Sequence, residues 1–323
     1  MSTRIRFVLL ASAAVLLCVA ATVSVLTAVP RGKAAFGTVR LDAPGQIVFR
    51  DTRPGPTRDH LVSVPAADRG TRTVSAVSCL RFSAAHGTGI CLRGAAGLTP
   101  RFDAVVLDAG LRERRRVTLP GTPTRARVSP SGRMAAFTVF VSGDSYGGLD
   151  FSTRTGILDT VTGAYVPSLE TFDVVGMTKT PDINFWGVTF ADDDRFFATM
   201  AMRGRTHLVS GTVSGHRVQV LRDNAECPSL SPDGTRLVFK KRVRAASSGQ
   251  PWRLHVLDLA TLRDKALAET RSVDDQVAWL DPGTVAYALP ADFGSDLWSV
   301  PADGTGAPGR ILEAAASPVA VSR

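Results

Sequence analysis

One local cadence recurs along this chain and limits what it can fold into: an apolar strand, a tight turn of Ser, Pro, Asp or Gly, then a second apolar strand. It runs through residues 126–137 (ARVSPSGRMAAF), 228–239 (PSLSPDGTRLVF) and 277–287 (VAWLDPGTVAY). A degenerate copy covers residues 187–198 (GVTFADDDRFFA), and the stretch between Cys79 and Cys91 reads as a fifth hairpin. Pro sets φ near −65° at the first central position and Asp or Ser bonds back to the backbone. Gly then supplies the left-handed conformation that re-enters the returning strand. Aligning Ala84, Pro130, Asp192, Pro232 and Pro282 gives spacings of 46, 62, 40 and 50 residues, the long interval holding a Gly/Ser-rich insertion around residues 142–156. A four-stranded propeller blade takes ~40–50 residues. Many short strands bounded by turns mean a sandwich, a barrel or a propeller, and a fixed period selects the propeller.

Each hairpin is followed by a third strand, such as residues 252–259 or 296–300, and a fourth, such as residues 265–269. The stretch from residue 31 to the first hairpin supplies a sixth blade. Residues 318–322 (PVAVS) have strand character and no hairpin partner after them. They are expected to pair beside residues 36–76 and close the ring, which removes exposed sheet edges. The expected fold is therefore all-β: a six-bladed β-propeller of four-stranded antiparallel blades over residues 31–323, preceded by one N-terminal hydrophobic helix.

That helix is read from residues 7–30, which carry no charge and follow Arg4 and Arg6. About 20 apolar residues suffice to cross a bilayer. Residues 1–30 are a signal anchor or a signal peptide. The best late cleavage site, Leu26-Thr27-Ala28, places a bulky Leu where a small residue is needed, which favours the anchor. Either way the rest of the chain is exported, tethered to the cell membrane in a single pass or secreted after cleavage. Cys79 and Cys91 face each other if the hairpin folds about residue 85, and an oxidising compartment allows a disulfide; the other reading is two buried free thiols. Cys227 reads as a small buried hydrophobe.

Basic residues outnumber acidic ones by 38 to 29, and 33 of the 38 are Arg. With abundant Ala, Gly and Val, this is the codon signature of a GC-rich genome, so it weighs little toward nucleic acid. The two clusters, residues 112–116 and 240–244, have no interleaved aromatic platform and read as solvated strand edges. No nucleic-acid partner is expected.

Chemistry is faint. Gly143-Asp144-Ser145-Tyr146-Gly147 matches the Gly-x-Ser-x-Gly pattern of serine hydrolases, but nothing helical follows it, so it reads as a loop. The five His show no metal-ligand spacing, and no Cys-x-x-Cys occurs. What stands out is the polarity of the segments leading into the innermost strands: Thr124-Arg125, Asp182-Ile183-Asn184, Asn224-Ala225-Glu226 and Asp274-Asp275-Gln276. Ring geometry would gather Arg125, Asp182, Asn184, Glu226, Asp274 and Asp275 at the mouth of a central channel. There they could bind a polar ligand, a Ca²⁺ ion or a peptide terminus; otherwise they cap turns.

The turn Leu230-Ser231-Pro232-Asp233-Gly234, with Ser129-Pro130-Ser131-Gly132 close to it, resembles the repeat of TolB-like propellers. Asp281-Pro282-Gly283 lacks the Ser, and the turn at residues 191–194 lacks both Pro and Gly. The resemblance covers residues 75–323 and implies fold more than activity. That family's α/β N-terminal domain has no counterpart here, which puts its envelope role in doubt. Together these readings predict a membrane-tethered extracytoplasmic binding module for a cell-envelope protein or peptide, with no resident cofactor. The alternative is a propeller hydrolase or lyase using Glu226, Asp274 or Asp275 at the channel mouth.

Overall fold

The computed structural model describes residues 36–95, 97, 100–141, 152–243 and 250–321. The expected helix at residues 7–30 and the Gly-x-Ser-x-Gly segment at 143–147 lie outside them. Among the described residues no helix is long and apolar enough to cross a membrane.

Six antiparallel sheets are arranged in a ring. Blade 2 takes Arg81–Ala85, Thr88–Ala95, Arg101–Leu107 and Glu113–Leu119, innermost strand first. Blade 3 takes Thr122–Val128, Met134–Val141, Ser152–Asp159 and the short Tyr165–Val166. Blade 4 takes Asn184–Phe190, Arg195–Met202, Arg205–Thr212 and Arg217–Asp223; blade 5 takes Glu226–Leu230, Arg236–Arg242, Trp252–Asp258 and Asp264–Ala266. Blade 6 takes Ala278–Asp281, Thr284–Ala291, Gly294–Pro301 and Gly309–Leu312.

Blade 1 is composite. Gln46–Asp51, His60–Pro65 and Thr73–Ser78 are its outer three strands, and Ala315–Val321 from the far end of the chain is its innermost. The register runs from Gln46 opposite Val321 to Asp51 opposite Ala315, so the closure expected from residues 318–322 is the one formed. One blade departs from four strands. The chain crossing from blade 3 to blade 4 lays Asp173–Val174 parallel to Arg217–Asp223, giving blade 4 a fifth strand. That crossing satisfies backbone groups an outer edge would leave unpaired.

The ring is held by apolar packing between blades. Val48 and Leu61 of blade 1 meet Phe82 and Val105 of blade 2; Ile90 and Leu92 of blade 2 meet Phe137 of blade 3; Met134 and Ile157 of blade 3 meet Phe185 and Phe196 of blade 4. Leu208 of blade 4 meets Phe239 and Leu257 of blade 5, Val238 and Leu254 of blade 5 meet Val285 and Tyr287 of blade 6, and Phe49 and Val62 of blade 1 meet Leu297 of blade 6. Every neighbouring pair of blades thus shares a buried cluster. This follows from strands whose side chains alternate between two faces, each face covered by the next blade.

The repeated turns behave as their residues dictate in two of three cases. In each of these, Gly donates to the Ser carbonyl at 2.9 Å (Gly132 to Ser129, Gly234 to Ser231). The two glycines adopt φ of 82° and 71°. The Ser hydroxyl accepts the amide five residues on, Met134 or Arg236, at 3.0 Å. Gly283 is different: it stays out of the left-handed region and its amide donates to Asp281 Oδ1 at 2.7 Å. Without the Ser, the Asp side chain shapes a tighter loop, with Asp281 paired to Thr284.

Cys79 and Cys91 form a disulfide, with Cα atoms 5.3 Å apart. The hairpin does not fold about residue 85, however. It turns at His86 and Gly87, which are left-handed at φ 45° and 73°, and this sets Cys91 opposite Phe82. Cys79 lies in the connection from blade 1, so the bond ties that connection to the second strand of blade 2.

Candidate functional site

The innermost strands of neighbouring blades surround an axis, and three cavities follow one another along it. A narrow one of ≈ 40 Å³ lies among Arg81, Thr124, Arg125, Arg127, Asp275 and Ser317. A second of ≈ 170 Å³ shares Ser83, Arg127 and Pro318 with the first. A third of ≈ 260 Å³ shares Ala84, Phe190, Leu230 and Val319 with the second and adds His86 and Pro232. Residues at the starts of the inner strands line the first cavity and residues at their ends line the third. The three are one channel, basic at its narrow end and mixed at its wide end, where Leu41, Phe190 and Val319 stand beside His86 and Ser231.

The inner strands are bent where they pass the narrow end. Pairing slips between Pro123 and Arg125 in blade 3, Trp186 and Thr189 in blade 4, and Glu226 and Ser229 in blade 5. The closing strand slips between its pairings to Val48 and Arg50. Such bulges re-aim side chains and bend the strand. Gly187 carries the bend of blade 4 at φ 64°, and a Cβ there would stand 2.7 Å from the Cα of Cys227. Only Gly lets these two inner strands approach so closely. Cys227 and Ser317 are left-handed at φ 49° and 52° although both carry side chains. That costs on the order of 1 kcal/mol each.

Arg125 and Arg127 share one face of the blade 3 inner strand, two residues apart. Arg81 begins the inner strand of blade 2. Its Nε donates to the Thr124 carbonyl at 2.7 Å. Arg125 donates to the carbonyls of Thr124 at 2.9 Å and Asp274 at 3.4 Å, and stands 4.0 Å from Asp274 Oδ1. Arg127 Nη2 donates to the Val277 carbonyl at 2.9 Å and to Ser229 Oγ at 3.4 Å. The Nε atoms of both Arg125 and Arg127 are buried without a hydrogen-bond partner. Asp275 accepts from two backbone amides, Gln276 at 2.9 Å and Ala288 at 3.4 Å. Gln276 spans neighbouring blades, its amide donating to the carbonyls of Val188 at 3.1 Å and Pro228 at 2.8 Å.

Burial sets the electrostatics. It pushes the Arg127 guanidinium down to about 10, against the pull of Asp275 and Cys227, and it lowers Arg81 in the same way. At Arg125 the burial penalty is outweighed by Cys227, Asp275 and Asp274, which hold the group above its ordinary value. Lys240 is buried, bonds Asp274 and sits 4.5 Å over the Trp252 ring. Its own burial penalty is likewise outweighed, by Cys227 and Asp274. Glu226 is buried beside it and is pushed up by that burial, against Lys240 and Arg242.

Of the residues singled out from sequence, the narrow end gathers Arg125 and Asp275; Asp274 lies outside the cavity, exposed and 4.0 Å from Arg125, and Glu226 is linked to it through Lys240. Asp182 and Asn184 have other engagements. Asp182 accepts from Thr180 Oγ1 at 2.5 Å and from the Arg203 amide at 2.6 Å. Asn184 Oδ1 accepts from the Thr153 amide at 2.7 Å and from Ser152 Oγ at 3.0 Å, joining blade 3 to blade 4. Sequence reasoning passed over Arg81, Arg127 and Lys240. Arg127 carried a usable signal, since its two-residue spacing from Arg125 puts both on one strand face. Lys240 belongs to a cluster expected to be a solvated edge. It lies instead on the second strand of blade 5, where alternation buries it against Asp274 and Trp252 and sends Lys241 to Asp264 at 2.9 Å.

The expected Ca²⁺ does not fit this donor set. Calcium takes about six to eight oxygen ligands, whereas the narrow end offers three guanidinium groups to one carboxylate. Among the described residues no group of three His, Cys, Asp or Glu could hold a metal ion.

No family model matches this chain, and no curated protein is similar to it in sequence. Solved structures do share its architecture. TolB from Acinetobacter baumannii aligns at a TM-score of 0.59 and 17% identity, over 86% of this chain and 67% of that one. A puromycin-hydrolyzing peptidase of Mycobacterium tuberculosis aligns at 0.54 and 15%, over 87% of this chain and 45% of its own. The tricorn protease aligns at 0.52 and 10%, over 90% and 31%. This chain thus spans less than half of either protease. At such identities the likeness is one of fold. The class is the six-bladed β-propeller closed by its last strand, and within that class the fold is similar to that of TolB.

Proposed function

We propose that this protein is a membrane-tethered, extracytoplasmic binding module that recognises a cell-envelope protein or peptide at its axial channel, with no catalysis of its own. The observation that carries the reading is the channel itself: a wide end of mixed polarity continuous with a narrow basic end, framed by strained inner strands. Strain at Cys227 and Ser317 persists only where the surrounding structure over-determines it, and such positions cluster at functional sites. A rigid ring presenting one shaped opening suits recognition. The disulfide between Cys79 and Cys91 suits an oxidising compartment, and the uncharged segment at residues 7–30 suits a tether.

The test is a photo-crosslinking residue placed in living cells at His86, on the wide mouth, and separately at Arg114, on the outer strand of blade 2. A discrete crosslinked partner from His86 and not from Arg114 is expected. Equal capture at both positions, or none at His86, overturns the reading. The tether is checked by fractionation: the protein should stay with membranes through an alkaline wash, and its release would overturn that part.

A further inference from the structure

Resting on that reading, the charge balance at the narrow end says what chemical group the channel takes. Arg81, Arg125 and Arg127 converge on a cavity that contains one carboxylate, Asp275. Guanidinium nitrogens without a hydrogen-bond partner also occur at Arg50, Arg72 and Arg222, but each of those groups is paired with a carboxylate. Asp51 is buried against Arg53 and Arg72. Glu269 is buried against Arg271 and the Tyr287 hydroxyl. Asp264 receives Arg222, Lys241 and His255 together. In the channel the two Nε donors of Arg125 and Arg127 have nothing to bond. Asp275 is already engaged by the backbone amides of Gln276 and Ala288. An unmatched guanidinium in a low-dielectric site is unfavourable until an anion arrives, and arginine's planar fork fits a two-oxygen anion.

Space narrows the choice. The narrow cavity is ≈ 40 Å³, little more than one water's share of liquid at ~30 Å³, which suits a flat carboxylate better than a tetrahedral phosphate. The next section alternates hydroxyls of Ser83, Thr189 and Ser229 with Ala84, Leu230 and Val319. Mixed walls of this kind match the alternating amides and side chains of a peptide better than a bare acyl chain. Beyond them the channel opens past Phe190, Pro130 and Pro232.

We propose that the narrow end is a carboxylate subsite, in which Arg125 and Arg127 hold the C-terminal carboxylate of a peptide that enters from the wide mouth with its last side chains against the apolar walls. Arg81 supplies field rather than a bond, because its Nε is committed to Thr124. A carboxylate bound there would offset the burial that pushes Arg127 down to about 10.

The experiment uses the full chain in nanodiscs and three probes: acetyl-Ala-Leu-Val with a free carboxylate, the same peptide as its C-terminal amide, and octanoate. Affinities are measured by saturation-transfer NMR. The free acid should bind at least tenfold more tightly than the amide and more tightly than octanoate. Arg127→Gln should erase the difference between acid and amide while leaving the amide unchanged. Arg127→Lys, which keeps the charge without the fork, should restore part of it. Acid and amide binding alike in the unaltered protein would overturn the carboxylate subsite while leaving peptide recognition standing. Octanoate binding best would overturn the peptide and leave an acyl carboxylate. Failure of all three probes would overturn the subsite, and the His86 crosslink then decides separately whether the channel recognises anything.

Discussion

On the outer strand of blade 2, Arg116 is shared between Asp103 at 2.9 Å and Glu113 at 2.7 Å, Arg93 reaches Glu113 at 2.9 Å, and Arg114 reaches Asp108 at 2.7 Å. In the channel, Arg81, Arg125 and Arg127 face a single carboxylate, and two of the three keep an unbonded Nε. The first group, drawn from the second and outer strands of blade 2, is solvated and paired. It guards a sheet edge with charge, as edge strands generally require. The second is scattered over residues 81–127, recessed in the channel and short of carboxylates, with only Arg125 reaching one outside the cavity, Asp274 at 4.0 Å. The same side chain is thus paired in one place and short of counter-charge in the other, and what separates them is access to water and to carboxylates.

The sharpest way to break this comparison is Asp275→Asn, which removes the one acidic group from the narrow cavity. Among the described residues Asp275 makes no ion pair but accepts two backbone amides as a charged group; losing such a charged acceptor costs about 2 kcal/mol, and urea denaturation should register a loss of that order. A loss below about 0.5 kcal/mol would mean that water already screens the channel, and the contrast with blade 2 would collapse. Burial without clustering is isolated at Glu170, between blades 3 and 4. Burial pushes its carboxyl up to about 7, and Oε2 has no partner while Oε1 accepts the Phe185 amide at 3.3 Å. Because the folded value lies above the unfolded one near 4.5, the stabilising form is the neutral one. Its contribution is fully present below pH 4.5 and is lost as pH rises through about 7. Unfolding measured across that window should show a decline on the order of 2 kcal/mol that Glu170→Gln flattens; parallel curves for the two proteins would sink the assignment. The smallest effect belongs to the rim. Arg116→Ala should leave the urea midpoint close to that of the unaltered protein, and closer still in high salt. A marked fall would place blade 2's edge among the strongly held charges and erase the distinction.

Legibility followed the range of the interaction. The turn at residues 231–234 was readable because every determinant lies within a few residues: Ser231 Oγ, the Gly234 conformation and the Arg236 amide. Gly283 departed from the pattern for an equally local reason, the Asp281 side chain that replaces the missing Ser. The closing strand was readable because an apolar strand without a sequence partner must find one elsewhere. The hairpin register at the cysteines was not. Two left-handed residues, His86 and Gly87, moved the turn, and Cys79 met Cys91 from outside the hairpin.

The candidate site was half legible for the same reason. Polar segments before the inner strands flagged Arg125, Asp274 and Asp275, while nothing local distinguished them from Asp182 or Asn184, whose atoms serve neighbouring turns and blades. Strand alternation, turn chemistry and period are short-range properties written residue by residue, so the sequence by itself determined six blades, their hairpins and the closing strand. Which charges would share one small cavity depended on bulges and on ring closure, which bring residues 81, 127, 240 and 275 to one end of an axis. Only the tertiary structure decided that, because pairing and desolvation depend on distances that no spacing along the chain encodes.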